Sequence, residues 1–150
     1  GGRGRWRPFW RWKGKPYFAF PMFAQGFYST PVDYACFLAM VSEGGRGAGQ
    51  RLLSEEAIER ILTPASKTTI PTGFARLGSS YGQLMHLYDK KGEVIVFGHS
   101  GSDGTYAWVW PAKDLMVLYF TQSRGSVTMS RMEAVIDSLL GRPIALDPGN

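Results

Sequence analysis

Residues 94–108 read VIVFGHSGSDGTYAW and decide how the rest of the chain is interpreted. An apolar strand runs into a glycine-punctuated turn that carries His99, Ser100, Ser102 and Asp103, and a second strand leaves the turn. The glycines allow positive φ and a close approach of backbone or ligand. Polar groups at the mouth of a buried sheet often form a functional site. The same pattern also fits an ordinary hairpin with a Gly/Ser/Asp turn, and the local sequence leaves both readings open.

Short strands continue on both sides of this stretch. Strands are predicted at 81–88, 93–99, 105–110 and 114–121. The links between them are too short for crossovers, so neighbouring strands should be antiparallel and form a meander. Residues 94–97 and 115–120 are apolar in both alternating positions, which predicts a sheet covered on both faces.

A helix is predicted to begin after Thr30, a favourable N-cap that Pro31 follows and Asp33 completes as a capping box. Its end is expected at the Gly44-Gly45 pair. The spacing predicts a buried face made by Val32, Cys36, Ala39 and Met40. Cys36 is accordingly predicted to be a buried structural thiol.

Two more helices have clear start signals. Ser54 precedes a pair of glutamates, and this helix should bury Ala57, Ile58, Ile61 and Leu62 and end at Pro64. Residues 64–79 are predicted to be a loop. The last helix should span 130–140, begin at Ser130, and bury Met132, Val135, Ile136 and Leu139. The predicted fold class is α+β: an antiparallel sheet meander with flanking helices.

The positive charge is concentrated in residues 1–23, a basic aromatic leader. The chain has a net charge of +5, yet residues 1–15 alone hold six basic side chains and no acid. Interleaved arginines and aromatics are typical of single-stranded nucleic-acid contacts. The favoured interpretation is that the aromatics pack on the body, residues 24–150, while the arginines face water. No nucleic-acid motif follows in the body.

Several classes of protein and site are not supported. No apolar run is long enough for a membrane span, and no signal peptide opens the chain. One cysteine excludes an internal disulfide and a cysteine-based zinc site. No cofactor or metal is predicted. The compartment stays open between cytoplasm and periplasm.

The ordered motifs of the body resemble the serine β-lactamase-like hydrolases, which include class C β-lactamases, carboxylesterases and DD-peptidases. Residues 97–105 resemble the third motif of that family, Lys-Thr-Gly or, in many esterase-type members, His-x-Gly. Residues 26–34 resemble its Gly-rich segment, residues 51–56 its "R-I-L-S-P-E" helix start, and Tyr81-Gly82 its "Y-G-L-G-W" strand. The resemblance covers roughly residues 24–140.

The resemblance implies roles for the turn. His99 would take the place of the motif's lysine and contact the polar end of the substrate, and Gly101 would let substrate lie along the strand. The backbone N–H of Ser102 would donate to the oxyanion. Ser100, Asp103 and Thr105 are further substrate-binding candidates, although Asp103 and Thr105 fit a turn-holding role equally well. Histidine in place of lysine favours ester, amide or peptide substrates over β-lactams.

The family's nucleophile is missing from this sequence. No serine has a lysine three residues later, and the only asparagine, Asn150, follows no tyrosine at the Tyr-x-Asn spacing. The chain is therefore interpreted as the C-terminal part of a serine hydrolase, inactive alone, that needs a missing N-terminal segment or self-association. The alternative is a non-catalytic binding module whose leader contacts nucleic acid or a protein partner.

Other arrangements of the reactive side chains are weaker. A Ser-His-Asp triad from the turn is disfavoured because adjacent strand residues point to opposite faces. By the same alternation, Ile95, Phe97, His99 and Gly101 are predicted to share one face. His86 is predicted to be a packed or edge histidine rather than a metal ligand. Tyr106, Trp108 and Trp110 are expected to pack against a helix.

Overall fold

The computed structural model describes residues 29–67, 78–101, 104–121 and 127–141. The predictions for the leader, for residues 26–28 of the Gly-rich segment, and for Ser102 and Asp103 lie outside the described residues.

The first helix, α1, spans Pro31–Ser42 and is capped as predicted. The Thr30 hydroxyl oxygen accepts the Asp33 N–H at 3.1 Å, and the same hydroxyl donates to the Asp33 carboxylate at 2.8 Å. The chain leaves the helix at Gly44 and Gly45, whose φ values are +63° and +90°. Local capping chemistry therefore fixes both ends of α1.

The buried face of α1 agrees with the prediction at Met40 but differs from it at Val32 and Cys36. Leu38, Met40 and Val41 are buried, whereas Val32 is 71 % exposed and Cys36 is exposed. The sequence of α1 is apolar on nearly every side, so spacing alone is compatible with more than one buried face. The prediction that Cys36 is a buried thiol is wrong for this reason.

The second helix, α2, spans Glu55–Leu62 and confirms its prediction. The Ser54 hydroxyl accepts the Ala57 N–H at 3.1 Å, and Ile58 and Ile61 are buried. Two short strands, β1 (Arg46–Gly47) and β2 (Gln50–Arg51), form a small hairpin between α1 and α2. Arg51 donates to the Gly44 carbonyl at 2.9 Å and to the Glu55 carboxylate at 2.7 Å. This side chain joins the end of α1 to the start of α2.

The main sheet has six strands in chain order, and every neighbouring pair is antiparallel. The predicted meander is confirmed. The strands are β3 (Ser66–Lys67), β4 (Gly78–Tyr81), β5 (His86–Lys90), β6 (Glu93–Ser100), β7 (Tyr106–Trp110) and β8 (Leu115–Tyr119). A short 3₁₀ turn, Pro111–Lys113, joins β7 to β8.

One predicted strand, residues 81–88, is in fact the end of β4, a turn and the start of β5. Gly82 donates its N–H to the Met85 carbonyl at 3.0 Å, and Leu84 has a φ of +72°. A Cβ at Gly82 would collide with the carbonyl oxygen of Ile61. The turn lets Tyr81 pair with His86. The predicted loop over 64–79 is likewise wrong at its two ends, where β3 and the start of β4 lie.

The sheet is covered on both faces, as its apolar strands predicted. On one face, helices α1 and α2 pack in a first cluster that includes Leu38, Ile58, Leu87, Phe97, Ala107 and Val109. On the other face, Tyr88, Val96, Trp108 and Trp110 form a second cluster, against which Ile136 packs. The sheet is therefore the middle layer of three.

Ile136 belongs to the last helix, α3, which spans Val127–Leu140 and so begins three residues before the predicted start. Val135 and Leu139 are 58 % and 80 % exposed, so the predicted buried stripe is wrong at these two positions. The side chain of Met132 lies outside the described part. None of the described helices is long and apolar enough to cross a membrane.

Candidate functional site

The candidate motif lies at the end of β6, between β5 and β7. Gly98 pairs with His86 on one side and with Trp108 on the other, and His99 pairs with Ala107. His99 is exposed, and Ser100 is half-buried. Pairing with β7 therefore fixes the backbone at His99, directly after the last residue of β6 that also pairs with β5, while its side chain remains accessible.

The turn after β6 is closed by its own backbone. Gly101 donates its N–H to the Thr105 carbonyl at 2.7 Å, and Gly104 donates to the Gly101 carbonyl at 3.0 Å. The Thr105 hydroxyl donates to the carbonyl of Thr121 at 3.3 Å. This bond favours a turn-holding role for Thr105.

Gly98 is the residue in β6 whose backbone requires glycine. Its φ is +154°, and a Cβ there would collide with the carbonyl oxygen of Ala107 and lie 2.9 Å from the Trp108 ring. The missing side chain lets β7 approach β6 immediately before His99. The position of His99 thus depends on the residue beside it.

The predicted alternation along β6 fails at Ile95. The pairing with β5 shifts between Tyr88 and Asp89, where β6 contributes one extra residue, Ile95. Such a bulge interrupts the two-residue side-chain period. Ile95 consequently packs against the second cluster while Phe97 lies in the first.

The imidazole of His99 is tied to its own strand. Nδ1 lies 2.7 Å from the carbonyl oxygen of Ser100. The ring also faces Tyr81, with the two ring centroids 5.8 Å apart. The structure thus brings the end of β4 close to the motif on β6.

His86 is a packed histidine, as predicted, and is 6 % exposed. Its ring stacks on Tyr81 with centroids 4.8 Å apart and planes 16° from parallel. Tyr88 and Trp108 lie at 4.6 Å and 5.7 Å. The hydroxyl of Ser79 is 2.7 Å from Nε2. The rings of Tyr81, His86, Tyr88, Trp108 and His99 are called the aromatic–histidine cluster below.

Sequence reasoning treated the two histidines separately and missed this cluster. Recognising a turn at Gly82 would have revealed the cluster. Once β4 and β5 form a hairpin, Tyr81 lies opposite His86. His86 in turn must face the residue before His99. The resemblance of Tyr81-Gly82 to a strand motif obscured the turn.

Burial controls the proton equilibria in the cluster. Burial lowers the pKa of His86, and the nearby His99 lowers it further. Burial, with a smaller contribution from Tyr81, raises the pKa of Tyr88 to about 12. His86 and Tyr88 are both therefore neutral at physiological pH.

The lowered pKa of His86 makes stability depend on pH. The unfolded chain binds the proton at about pH 6.5, above the folded state's value, so protonation favours unfolding. The free energy of unfolding should thus decrease as pH falls from about 7.5 to about 5.

His86→Gln, which keeps an amide that can bond Ser79, is expected to flatten this pH dependence of the free energy of unfolding, measured by urea titrations at several pH values. The control His99→Gln should retain most of it, because burial of His86 is unchanged. Equal slopes in wild type and His86→Gln would contradict the assignment.

No three His, Cys, Asp or Glu side chains converge anywhere in the described ranges as a metal site would require. His99 Nδ1 bonds the backbone oxygen of Ser100 rather than a side-chain hydroxyl. The described residues therefore offer the chemistry of an exposed imidazole on a rigid strand, beside a tight turn.

Comparison with protein families identifies the chain. The family described as Beta-lactamase matches residues 2–140, which is more than nine-tenths of the 150-residue chain. No curated protein matches it significantly. The antiparallel sheet with helices on both faces agrees with the α+β fold that the ordered motifs predicted. The chain belongs to the Beta-lactamase family and has a serine-hydrolase-like fold.

Proposed function

We propose that this chain forms one wall of the active site of a serine hydrolase of esterase or peptidase type. Its substrates would be small esters, amides or peptides. The observation that carries the proposal is the exposed imidazole of His99, at the family's His-x-Gly position, on a strand paired on both sides. A rigid strand that presents one polar side chain suits substrate positioning.

Each residue of the motif would have a different role. His99 would contact the polar end of the substrate, and Gly101 would leave room for substrate along β6. The Ser102 N–H would stabilise the oxyanion together with the N–H of the attacking serine. Ser100, Asp103 and Thr105 would line the turn. Two contacts support this scheme because they hold both residues in place: His99 pairs with Ala107 on β7, and the Gly101 N–H donates to the Thr105 carbonyl.

The nucleophile must come from sequence outside these 150 residues. In the reaction, a serine oxygen attacks the substrate carbonyl carbon while a neighbouring base takes the hydroxyl proton. The proton then passes to the leaving group, and water hydrolyses the acyl-enzyme. No serine in this sequence is followed by lysine at the required spacing, and Tyr-x-Asn is also missing. This gap supports the assignment of residues 94–105 to substrate and oxyanion contacts alone.

We also propose that the body, residues 24–150, needs a partner along β8. In the described part of the chain, β8 pairs with β7 on one side only. Residues Leu115–Tyr119 carry no charge, and Phe120 beside them is 44 % exposed. An uncharged apolar edge strand invites pairing. Sedimentation at micromolar concentration is expected to show self-association or a bound second chain, and a monodisperse monomer that binds no hydrophobic dye would contradict this.

The absence of a nucleophile–base pair gives the test of function. The purified 150-residue chain should not hydrolyse p-nitrophenyl acetate above background, and a fluorophosphonate should label no serine. The protein with its natural upstream sequence should hydrolyse the ester, and His99→Ala should lower its kcat/KM by about 100-fold. Val135→Ala, a change on the exposed side of α3, is the matched control. Burst kinetics from the 150-residue chain, or full activity of the His99→Ala protein, would overturn the proposal.

A further inference from the structure

The hydrogen bond of His99 fixes which of its nitrogens carries hydrogen. Nδ1 lies 2.7 Å from the carbonyl oxygen of Ser100, and a carbonyl oxygen can only accept. Nδ1 must therefore be the donor. In a neutral imidazole the other nitrogen, Nε2, then has a lone pair and no hydrogen. In this tautomer the exposed His99 side chain thus has its hydrogen-bond acceptor at Nε2.

A second imidazole lies in the surroundings of His99, among the rings of the aromatic–histidine cluster. The second histidine of the chain, His86, lies in the same cluster, close enough for its protonation to be opposed by charge on His99.

The ring is also held in place by a series of contacts. Ser79 bonds Nε2 of His86 at 2.7 Å, His86 stacks on Tyr81 at 4.8 Å, and the Tyr81 ring faces His99 at 5.8 Å. The first two members are buried or half-buried. The direction of the Nε2 lone pair is thus set by packing as well as by the Ser100 bond.

We infer that His99 Nε2 acts as a hydrogen-bond acceptor and selects substrates whose polar end is a neutral donor, a hydroxyl or an amide N–H, over those that end in a carboxylate. This inference rests on the proposed function, in which the end of β6 contacts substrate. A lysine at this position would be a donor only and would favour the carboxylate instead. The substitution of His for Lys in the motif therefore changes the class of group that is recognised.

Nitrogen NMR of isotope-labelled histidine tests the hydrogen-bonding state directly in the 150-residue chain. The chain has two histidines, so the variant His86→Gln assigns both rings. At about pH 8, His99 is expected to show a protonated Nδ1 and an unprotonated Nε2, because the Ser100 carbonyl oxygen can only accept from Nδ1. A His99 ring protonated on Nε2 would overturn the inference, whatever the activity.

A matched pair of esters tests the selectivity in the protein with its natural upstream sequence. The substrates are the mono-p-nitrophenyl ester of adipic acid, which ends in a carboxylate, and its terminal primary amide. Wild type should favour the amide in kcat/KM by about tenfold, because a carboxylate would face a lone pair. His99→Lys should reverse the preference, whereas Val135→Lys, which adds the same charge at an exposed position of α3, should not.

The outcomes separate this inference from the proposed function. Equal hydrolysis of the two esters by wild type, or a preference for the carboxylate, would overturn the inference and leave the hydrolase function standing. Hydrolysis of neither ester would overturn the proposed function. The NMR result would then decide alone whether His99 presents an acceptor.

Discussion

Replacing Gly98 by alanine is expected to lower the free energy of unfolding by about 3 kcal/mol. An added Cβ would collide with the Ala107 carbonyl oxygen and lie 2.9 Å from the Trp108 ring. Neither neighbour can retreat easily, since Ala107 is held in the β6–β7 ladder and Trp108 is 1 % exposed. Urea titration followed by tryptophan fluorescence measures the loss.

The control is Gly101→Ala, three residues further along the same stretch. A Cβ at Gly101 would meet Thr105 Cβ at 3.4 Å, an ordinary contact, and Gly101 has no left-handed φ. Its cost should be within about 0.5 kcal/mol. A Gly98→Ala protein as stable as the Gly101→Ala protein would mean that β7 does not approach β6 as closely as described.

The parts of the fold that sequence predicted correctly are those set by local chemistry. Thr30 with Asp33 and Ser54 with Ala57 form helix caps within three residues. The few residues around each cap are therefore enough to predict it. The links between the apolar runs are short and allow only antiparallel neighbouring strands. The meander could therefore be predicted from the sequence. The family resemblance rested on the same ordered segments and is confirmed by the family match.

The wrong predictions depend on contacts between distant residues. Nothing in the sequence of α1 distinguishes the side that buries Leu38 from the side that exposes Cys36, because the choice is made by the sheet that α1 covers. The extra residue Ile95 in β6 exists only relative to the partner strand β5. The turn at Gly82 is fixed in part by the distant carbonyl of Ile61.

In the candidate site, too, the locally determined features were predicted and those that depend on distant residues were not. The motif around His99 was visible in the sequence, and its placement on a strand end was predicted. The stack of His86 and Tyr81 behind it was not, because it requires the registers of β4 with β5 and of β5 with β6 together. The candidate residues of the motif are therefore easier to predict from sequence than the residues that pack behind them.

Phe97→Ala is expected to have the largest effect on stability, a loss of about 3–5 kcal/mol in the free energy of unfolding. Phe97 is fully buried in the first cluster, opposite Leu87 on β5 and Val109 on β7. Helices α1 and α2 contribute Leu38 and Ile58 to the same cluster, so truncation would leave a cavity between the sheet and both helices.

The comparison variant for Phe97 is Leu139→Ala on α3, where the side chain is 80 % exposed. Its cost should be within about 0.5 kcal/mol, because little apolar surface is uncovered. Urea titration of both variants measures the difference. Because domains of this kind are stable by about 5–15 kcal/mol, the loss at Phe97 should remove a large fraction of the total. If the Phe97→Ala and Leu139→Ala proteins unfolded at the same urea concentration, Phe97 would not be at the centre of the layer between the sheet and helices α1 and α2.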